Sequence, residues 1–294
     1  LNPAEMSEEG PRHVGYGKLI LFGEHFVVYR VPALVAAVND FTDCKVKLVE
    51  RGKGFVVVDE RPAVPGYKVE KKEEADEAIN LVLKHMGVDC ASQGVEMTFG
   101  GNLCAVSGIG ASASQCVSLA RALAAAQGKQ LSEEEVNRAG YEGEKGYHGT
   151  PSGIDNTAAT YGGVLKFQRT EGDPVFGKQP VKEPVEIVYA STGITSSTTK
   201  VVGDVRSKRE ADPAWFDALL GKYTAVLDKG AAALESGDWA ALGGLLDDNH
   251  KLCQELTVSC KELDDLVAAA RSAGAVGAKM SGTGRGGLML ALTP

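Results

Sequence analysis

The sequence predicts an α+β fold divided into two domains, and three observations support this prediction. The chain has 294 residues, 44% of them hydrophobic and 24% charged, which is typical of a folded protein that is long enough for two domains. Strand-like and helix-like segments are mixed in both halves. A stretch rich in proline and glycine, Gly172–Pro184, predicts a boundary between residues 1–180 and 181–294.

The first half contains four predicted strands and three predicted helices. Gly87 and Gly128 end the first two helices, and Ser132 with Glu135 forms a capping box that opens the third. The strands are rich in valine and aromatic residues. The predicted segments are the strands Lys18–Phe22, Cys44–Glu50, Phe55–Val58 and Val95–Phe99, and the helices Glu73–Met86, Ala111–Ala126 and Ser132 to about Glu144.

The second half contains two predicted strands and three predicted helices. Asp212 is a predicted N-cap with Pro213 at the first helical position, and Ser259 with Glu262 predicts a second capping box. The predicted segments are the strand Val185–Ala190, the helices Pro213–Glu235, Asp238 to about Leu256 and Ser259 to Gly274, and the strand Leu288–Leu292.

The charge and hydropathy pattern excludes several classes of protein. A net charge of −8 argues against a nucleic-acid partner and against docking on anionic lipid. No apolar run approaches the roughly 20 residues that span a bilayer, and Leu1–Arg12 has no apolar core typical of a secretory signal. We therefore expect a soluble cytoplasmic protein without a membrane partner. A location in a peroxisome-like organelle and assembly into a homodimer remain open alternatives.

The six cysteines are expected to be reduced thiols rather than disulfides or zinc ligands. The chain contains no C-x-x-C pair, and its five histidines show no metal-ligand spacing relative to the cysteines. Free cysteines pack as small hydrophobic residues in the interior of proteins.

A glycine- and serine-rich segment, Ala105–Ser114, leads directly into a long helix that has no charged residue before Arg121. The first N–H groups of a helix lack partners and lie at the positive end of its dipole, so this segment is a candidate phosphate site. The alternative is a tight loop in which Ser112 caps the helix. A second glycine-rich run, Gly282–Gly287, is a weaker candidate, because such runs also form turns without function.

Five ionisable residues stand out beside these segments. Lys18 begins an apolar strand that Glu24 and His25 follow, and a lysine entering such a strand usually has a charged partner. Asp155 precedes an alanine-rich helix, where an ordinary N-cap is the alternative. Glu144 lies at the predicted end of a helix, where the dipole disfavours an anion unless a cation is nearby. An anion site, a lysine and two acids are the groups that phosphoryl transfer requires.

These segments, in this order, resemble the motifs of the GHMP kinases, which include galacto-, homoserine, mevalonate and phosphomevalonate kinases. The first motif resembles Gly17–His25, the second is similar to Ala105–Ser114, and the third resembles Gly277–Gly287. The resemblance implies an N-terminal domain like domain 2 of ribosomal protein S5 and a ferredoxin-like C-terminal domain.

Within the family, the run Glu24–Leu34 and the spacing from Glu144 to Asp155 look most like the mevalonate kinase branch. The resemblance then implies transfer of the γ-phosphoryl of ATP to the 5-hydroxyl of mevalonate, with Mg²⁺. Phosphomevalonate kinase, another small-molecule kinase of the family and a non-catalytic ligand sensor are the alternatives.

The resemblance also implies a role for each matching residue. Asp155 corresponds to the catalytic acid that accepts the proton of the substrate hydroxyl, and Lys18 to the lysine beside it. Ser112 and Glu144 match the Mg²⁺ ligands. The substrate-binding positions are Lys18, Glu24, His25, Asp155 and Thr198, and the nucleotide-binding positions are Ser107, Gly108, Ile109, Gly110, Ala111, Ser112, Ala113, Gly282 and Gly284.

Five residues depart from the family pattern. Tyr16 replaces a proline, Ala111 a serine and Ser114 an alanine, while Thr283 and Arg285 stand where alanine and glycine are common. Arg285 is expected either to narrow the nucleotide pocket or to add a phosphate contact.

Overall fold

The structure is a computed structural model that describes residues 6–7, 10–11, 13–49 and 54–293. Most of Leu1–Arg12, where the sequence predicts no secretory signal, lies outside the described residues. Within them, no helix is long and apolar enough to cross a membrane. The chain divides into two compact units: unit 1 comprises Leu1–Lys18 and Ala37–Gly163, and unit 2 comprises Leu19–Ala36 and Val164–Pro294.

These units differ from the predicted division at residues 180 and 181. Ala33–Ala36 forms an antiparallel ladder with the strand Val164–Gln168, so both segments lie in unit 2. The stretch predicted as a linker contains the strand Val175–Lys178, which pairs with Val164–Gln168. A compact unit is not by itself a domain, so the boundary at 180 stays a prediction.

Unit 1 contains paired strands and several helices that pack against one another. Strand β6 (Gly94–Gly101) pairs antiparallel with β4 (Ala33–Val49) and parallel with β5 (Phe55–Asp59), and β3 (Val14–Phe22) also pairs with β4. Strands β3 and β4 each contribute residues to both units. The elements of this part of the chain are β1 (Met6–Ser7), β2 (Gly10–Pro11), β3 (Val14–Phe22), β4 (Ala33–Val49), β5 (Phe55–Asp59), α1 (Tyr67–Glu70), α2 (Lys72–His85), β6 (Gly94–Gly101), α3 (Ala111–Ala126), α4 (Glu133–His148) and α5 (Ile154–Tyr161).

Glycines at every third position let helix α4 pack closely on its neighbours. A Cβ at Gly143 would lie 2.6 Å from the Cys116 sulfur of α3, and one at Gly146 would lie 2.4 Å from the Ala78 nitrogen of α2. Any larger residue would force these helices apart. The close packing explains why Glu144, beside Gly143, is buried.

Unit 2 contains a three-stranded antiparallel sheet in the order β10 (Gly277–Ser281), β11 (Leu288–Thr293), β9 (Glu186–Ser191). Helices α8 (Trp239–Glu255) and α9 (Lys261–Ser272) pack against this sheet. Helix α7 (Pro213–Ser236) supports the turn after β3: Tyr223 stacks on Phe26 at 4.3 Å, and its hydroxyl donates to the Pro32 carbonyl at 2.6 Å. The elements are a 3-10 helix (Phe26–Tyr29), β7 (Val164–Gln168), β8 (Val175–Lys178), β9 (Glu186–Ser191), α6 (Thr198–Ala211), α7 (Pro213–Ser236), α8 (Trp239–Glu255), α9 (Lys261–Ser272), β10 (Gly277–Ser281) and β11 (Leu288–Thr293).

The α+β class is confirmed, and most predicted segments lie within one to five residues of the observed ones. Asp212 is the N-cap of α7 and accepts from the Trp215 N–H at 2.9 Å, as predicted. The second capping box is wrong. Helix α9 has Cys260 as its N-cap without a side-chain bond, and the Ser259 hydroxyl instead donates to Asp264 at 2.6 Å.

Candidate active site

The predicted phosphate loop in unit 1 leads into helix α3 without a side-chain cap. Gly110 is the N-cap, with φ of +76°, and the helix has no side-chain cap hydrogen bond. The alternative in which Ser112 caps this helix is therefore wrong, since Ser112 lies inside the first turn. Helix α4, by contrast, has the complete Ser132 capping box. The first N–H groups of α3 are thus left for a ligand such as a phosphate.

Lys18 connects this loop to the predicted catalytic acid. Its ammonium donates to the Gly108 carbonyl at 3.1 Å and lies 3.3 Å from Asp155 Oδ1. Its backbone N–H donates to the Ile109 carbonyl at 2.8 Å. A Cβ at Gly110 would lie 2.9 Å from Lys18 Cγ, so the loop needs glycine there both for this approach and for its positive φ.

Asp155 is not a helix cap. Helix α5 begins at Ile154 with Gly153 as its N-cap, which places Asp155 in the first turn. An N-terminal carboxylate is favoured by the helix dipole. Its side chain is one-quarter exposed, whereas that of Lys18 is nearly buried. Asp155 is therefore not an ordinary N-cap. It forms an ion pair with Lys18 and is still accessible to solvent.

Glu144 lies in the last part of α4, and its carboxyl is almost completely buried. Burial, together with the neighbouring Asp155 carboxylate, raises the pKa of Glu144 to about 8, although a Ser112 hydrogen bond and the Lys18 charge act in the opposite direction. The His148 imidazole lies 3.8 Å away, but burial lowers its pKa, so it is a weak counter-ion. Glu144 thus lacks a strong cationic partner.

The donor set around Glu144 fits a divalent cation shared with phosphates. Its Oε1 atom is buried and has no hydrogen-bond partner among the described residues. Ser112, which hydrogen-bonds to the Glu144 carboxyl, adds a hydroxyl oxygen. Mg²⁺ prefers oxygen ligands and usually takes one or two carboxylates together with substrate phosphates. In the described part of the chain, no group of three or more His, Cys, Asp or Glu side chains would hold a metal alone.

Two further residues anchor the start of α3. The buried Arg61 donates to the Ala111 carbonyl at 3.3 Å and to Gln115 Oε1 at 3.1 Å, while Asp59 accepts from it at 2.7 Å. The Ser114 hydroxyl donates to the Gly15 carbonyl at 2.6 Å. These bonds fix the helix whose N-terminus forms the predicted phosphate site.

In unit 2, Glu24 lies in the turn that follows β3 and is fully buried. Its Oε1 atom pairs with the ammonium of Lys279, from β10. Its Oε2 atom is buried without a hydrogen-bond partner among the described residues. One carboxylate oxygen is therefore available as an acceptor.

His25 has one ring nitrogen occupied and the other without a partner. Nε2 donates to the Thr283 carbonyl at 2.6 Å, because a carbonyl can only accept. Burial lowers the pKa of His25, and the Arg285 charge lowers it further against the effect of the Thr283 bond. The ring is therefore neutral at pH 7, and its buried Nδ1, which has no partner in the described residues, is an acceptor.

Thr198 and the C-terminal glycines also lie in unit 2. Thr198 begins α6, and its hydroxyl lies 2.8 Å from that of Thr283. Gly282 and Gly284 have φ of +93° and +79°. A Cβ at Gly284 would lie 2.0 Å from the Val258 carbonyl oxygen, so close packing alone requires glycine there. The nucleotide-binding role predicted for these two glycines stays a prediction.

The comparisons with known proteins agree with the motif order. The family model "GHMP kinases N terminal domain" matches residues 73–163, and "GHMP kinases C terminal" matches residues 231–294. The chain belongs to the GHMP kinase family. Mevalonate kinases from Thermococcus gammatolerans and Pyrococcus furiosus are each 34% identical to this GHMP kinase, over 94% of this chain and 87% of theirs. The crystal structure of L. major mevalonate kinase in complex with R-mevalonate is 44% identical, with a TM-score of 0.94 over 100% of this chain and 90% of that one.

Two departures of this GHMP kinase from the family pattern have structural explanations. Ser114 replaces an alanine, and its hydroxyl joins two strands by donating to Gly15 and accepting from the Thr42 N–H at 3.1 Å. The guanidinium of Arg285 binds Asp204 and donates to the Thr257 carbonyl at 3.2 Å. Its expected effect on the nucleotide pocket stays a prediction.

The structure brings the predicted site residues of this GHMP kinase together in two groups. In unit 1, the phosphate loop, Lys18 and Asp155 are in direct contact, and Glu144 is close enough to Asp155 for each charge to affect the other. In unit 2, Thr283 contacts both His25 and Thr198. Sequence reasoning missed Arg61 and Lys279. The only signal for Lys279 was a lysine inside an apolar C-terminal segment.

Proposed function

We propose that this protein is a mevalonate kinase, which transfers the γ-phosphoryl of ATP to the 5-hydroxyl of mevalonate. The observation that carries the reaction class is the position of Lys18, whose ammonium contacts both the phosphate loop and Asp155. The substrate follows from the similarity to mevalonate kinases along nearly the whole chain.

In this proposal, Asp155 accepts the proton of the attacking hydroxyl. Lys18 places a positive charge beside Asp155 and the transferring phosphoryl, which stabilises the charge that develops there. The loop from Ser107 to Ala113 binds the β- and γ-phosphates through backbone N–H groups. Gly282 and Gly284 are proposed to contact the nucleotide, as in the family.

Ser112 and Glu144 are proposed to hold Mg²⁺, which supplies positive charge to the phosphates. The partnerless Glu144 Oε1 supports this assignment, since a buried carboxylate oxygen needs either a donor or a cation.

Glu24, His25 and Thr198 are proposed to bind mevalonate. Glu24 Oε2 and His25 Nδ1 are buried acceptors without partners among the described residues. A buried acceptor without a partner favours the binding of a ligand that supplies a hydrogen-bond donor and disfavours the binding of a ligand that lacks one. Mevalonate carries hydroxyl groups that act as such donors.

We expect mevalonate to be turned over far better than phosphomevalonate, galactose or homoserine. The reason is the run Glu24–Leu34, which resembles the corresponding run of mevalonate kinases. A coupled ATP-consumption assay with all four acceptors measures kcat/KM for each. A higher value for phosphomevalonate or galactose would assign the protein to another branch, and no turnover of any acceptor would favour the ligand sensor.

Replacing Glu144 with glutamine is expected to raise the Mg²⁺ concentration needed for half-maximal rate, because an amide binds Mg²⁺ more weakly than a carboxylate does. A Mg²⁺ titration at saturating ATP and acceptor measures this. The control is Glu142→Gln, on the same helix, whose carboxylate pairs with Lys145 at 2.6 Å. Identical Mg²⁺ curves for wild type and Glu144→Gln would remove Glu144 from the metal site.

The proposed location is the cytoplasm. All six cysteines are free thiols in the structure, which suits a reducing compartment. Subcellular fractionation distinguishes the cytoplasm from a peroxisome-like organelle, and sedimentation analysis tests for a homodimer.

A further inference from the structure

Lys279 is a charged residue in the interior of unit 2 that the proposed mechanism does not use. It lies in the middle of β10 and is 0% exposed, between the buried apolar residues Ala278 and Met280. A lysine is almost never buried to this extent unless a partner compensates its charge. The position therefore needs an explanation.

The ammonium of Lys279 has no donor left for a ligand. It donates to Glu24 Oε1, to the Met280 carbonyl at 2.6 Å and to the Ile20 carbonyl at 3.4 Å. An ammonium has three N–H donors, and these three acceptors use them all. Lys279 is thus suited to hold other groups in place and not to bind a substrate itself.

The ion pair leaves Glu24 with one occupied oxygen and one without a partner. Because Oε1 takes the lysine, Oε2 is the acceptor that remains, and it is buried. Burying a carboxylate is costly unless a counter-charge compensates the loss of water. Lys279 supplies that charge and determines which oxygen of Glu24 is left without a partner.

Two further residues of the C-terminal glycine-rich segment, Ser281 and Thr283, contact the region from Ile20 to His25. The Ser281 hydroxyl accepts from the Ile20 N–H at 3.0 Å, and the Thr283 carbonyl accepts from His25 Nε2 at 2.6 Å. Alternate residues 279, 281 and 283 thus fix three points between Ile20 and His25. The C-terminal glycine-rich motif acts in this way as a support for the first motif.

We propose that Lys279 is a positioning residue that holds Glu24 Oε1 and thereby directs Oε2 to a hydroxyl donor of the substrate. The proposal rests on the proposed function, in which Glu24 binds the acceptor substrate. Lys279 acts only through Glu24, and the nucleotide is unaffected.

The first test is Lys279→Met, which removes the ammonium and keeps an unbranched side chain. Without the ammonium, Glu24 Oε1 loses its donor, and Oε2 is no longer held in one position. We expect KM for mevalonate to rise by roughly tenfold or more, the scale for loss of a hydrogen bond to a charged group. KM for ATP is expected to stay within about twofold of the wild-type value.

The matched control is Lys222→Met, which removes a lysine from an exposed pair with Glu255 in the same unit. Exposed pairs contribute little, so its KM values for mevalonate and ATP are expected to equal those of wild type. A wild-type KM for mevalonate in Lys279→Met would overturn the proposal.

A double-mutant cycle tests the proposal even if Lys279→Met alone fails to fold. Glu24→Gln and the double variant Glu24→Gln, Lys279→Met both lack a buried unpaired carboxylate, and we expect them to have the same KM for mevalonate. If the double variant has a much higher KM than Glu24→Gln, Lys279 acts by another route and the proposal is wrong.

An assay of wild type distinguishes a failure of the Lys279 proposal from a failure of the proposed function. If wild type does not phosphorylate mevalonate, the proposed function fails, and the cycle is then run with the acceptor that is turned over. If wild type turns over mevalonate but Lys279→Met keeps the wild-type KM, or the double variant has a much higher KM than Glu24→Gln, only the role of Lys279 fails.

Discussion

Replacing Asp155 with asparagine is expected to lower kcat by about 10²- to 10⁴-fold, the usual contribution of general-base catalysis. The amide keeps the size of the carboxyl but cannot accept the hydroxyl proton. The barrier rises by about 3–5 kcal/mol at roughly 1.36 kcal/mol per tenfold. Because the lost interaction belongs to the transition state, KM for ATP stays close to that of wild type. Steady-state kinetics at saturating mevalonate measures the change.

The matched control is the same substitution at a residue that only caps a helix. Asp238 is the N-cap of α8 and accepts from the Ala241 N–H at 3.0 Å. Asparagine caps a helix as well as aspartate does, so Asp238→Asn is expected to leave both stability and kcat nearly unchanged. A folded Asp155→Asn protein that retains more than about a tenth of wild-type kcat would contradict the assignment of Asp155 as the base.

The sequence predicted best those elements whose signals are local. Helix α7 has an Asp-Pro start, and α3 is a long run of alanine, serine and leucine, so both were placed within one residue. Strand β10 was missed because its five residues include Gly277 and Lys279, and only its pairing with β11 makes it a strand. Helix α6 was missed for a similar reason, since it has few buried residues and no apolar face that sequence periodicity reveals.

In the site, too, local motifs were predictable from the sequence, whereas contacts between residues far apart in the chain were not. The phosphate loop, Lys18 and Asp155 were found from motifs, but nothing in the spacing gave their contacts, which join residues about 90 to 140 positions apart. The capping role considered for Asp155 failed because a glycine, Gly153, took the cap position. Lys279 was missed because its partner, Glu24, lies 255 residues away.

The second large effect concerns the stability of the metal-free protein, which is expected to fall by a few kcal/mol as the pH rises from about 5 to 8. Burial and Asp155 raise the pKa of Glu144 from an ordinary value of 4.5 to about 8. Between these values the folded protein holds a proton that the unfolded chain has lost. The stabilisation from this proton is complete below about pH 4.5 and is lost by about pH 8, at up to 1.4 kcal/mol per pH unit.

The measurement is the free energy of unfolding by urea in EDTA at several pH values, for wild type and for Glu144→Gln. Subtracting the two curves cancels the other titrating groups, and the remaining slope belongs to Glu144. The control is Glu135→Gln in the capping box, whose carboxylate has a lowered pKa because Ser132 bonds to it, so it stays ionised throughout this range. Parallel curves for wild type and Glu144→Gln would mean that Glu144 does not titrate between pH 5 and 8.

If Glu144 is a magnesium ligand, adding Mg²⁺ together with a non-hydrolysable ATP analogue is expected to reduce the pH dependence of the unfolding free energy in wild type. The reason is that a cation stabilises the ionised carboxylate, which the folded protein otherwise disfavours.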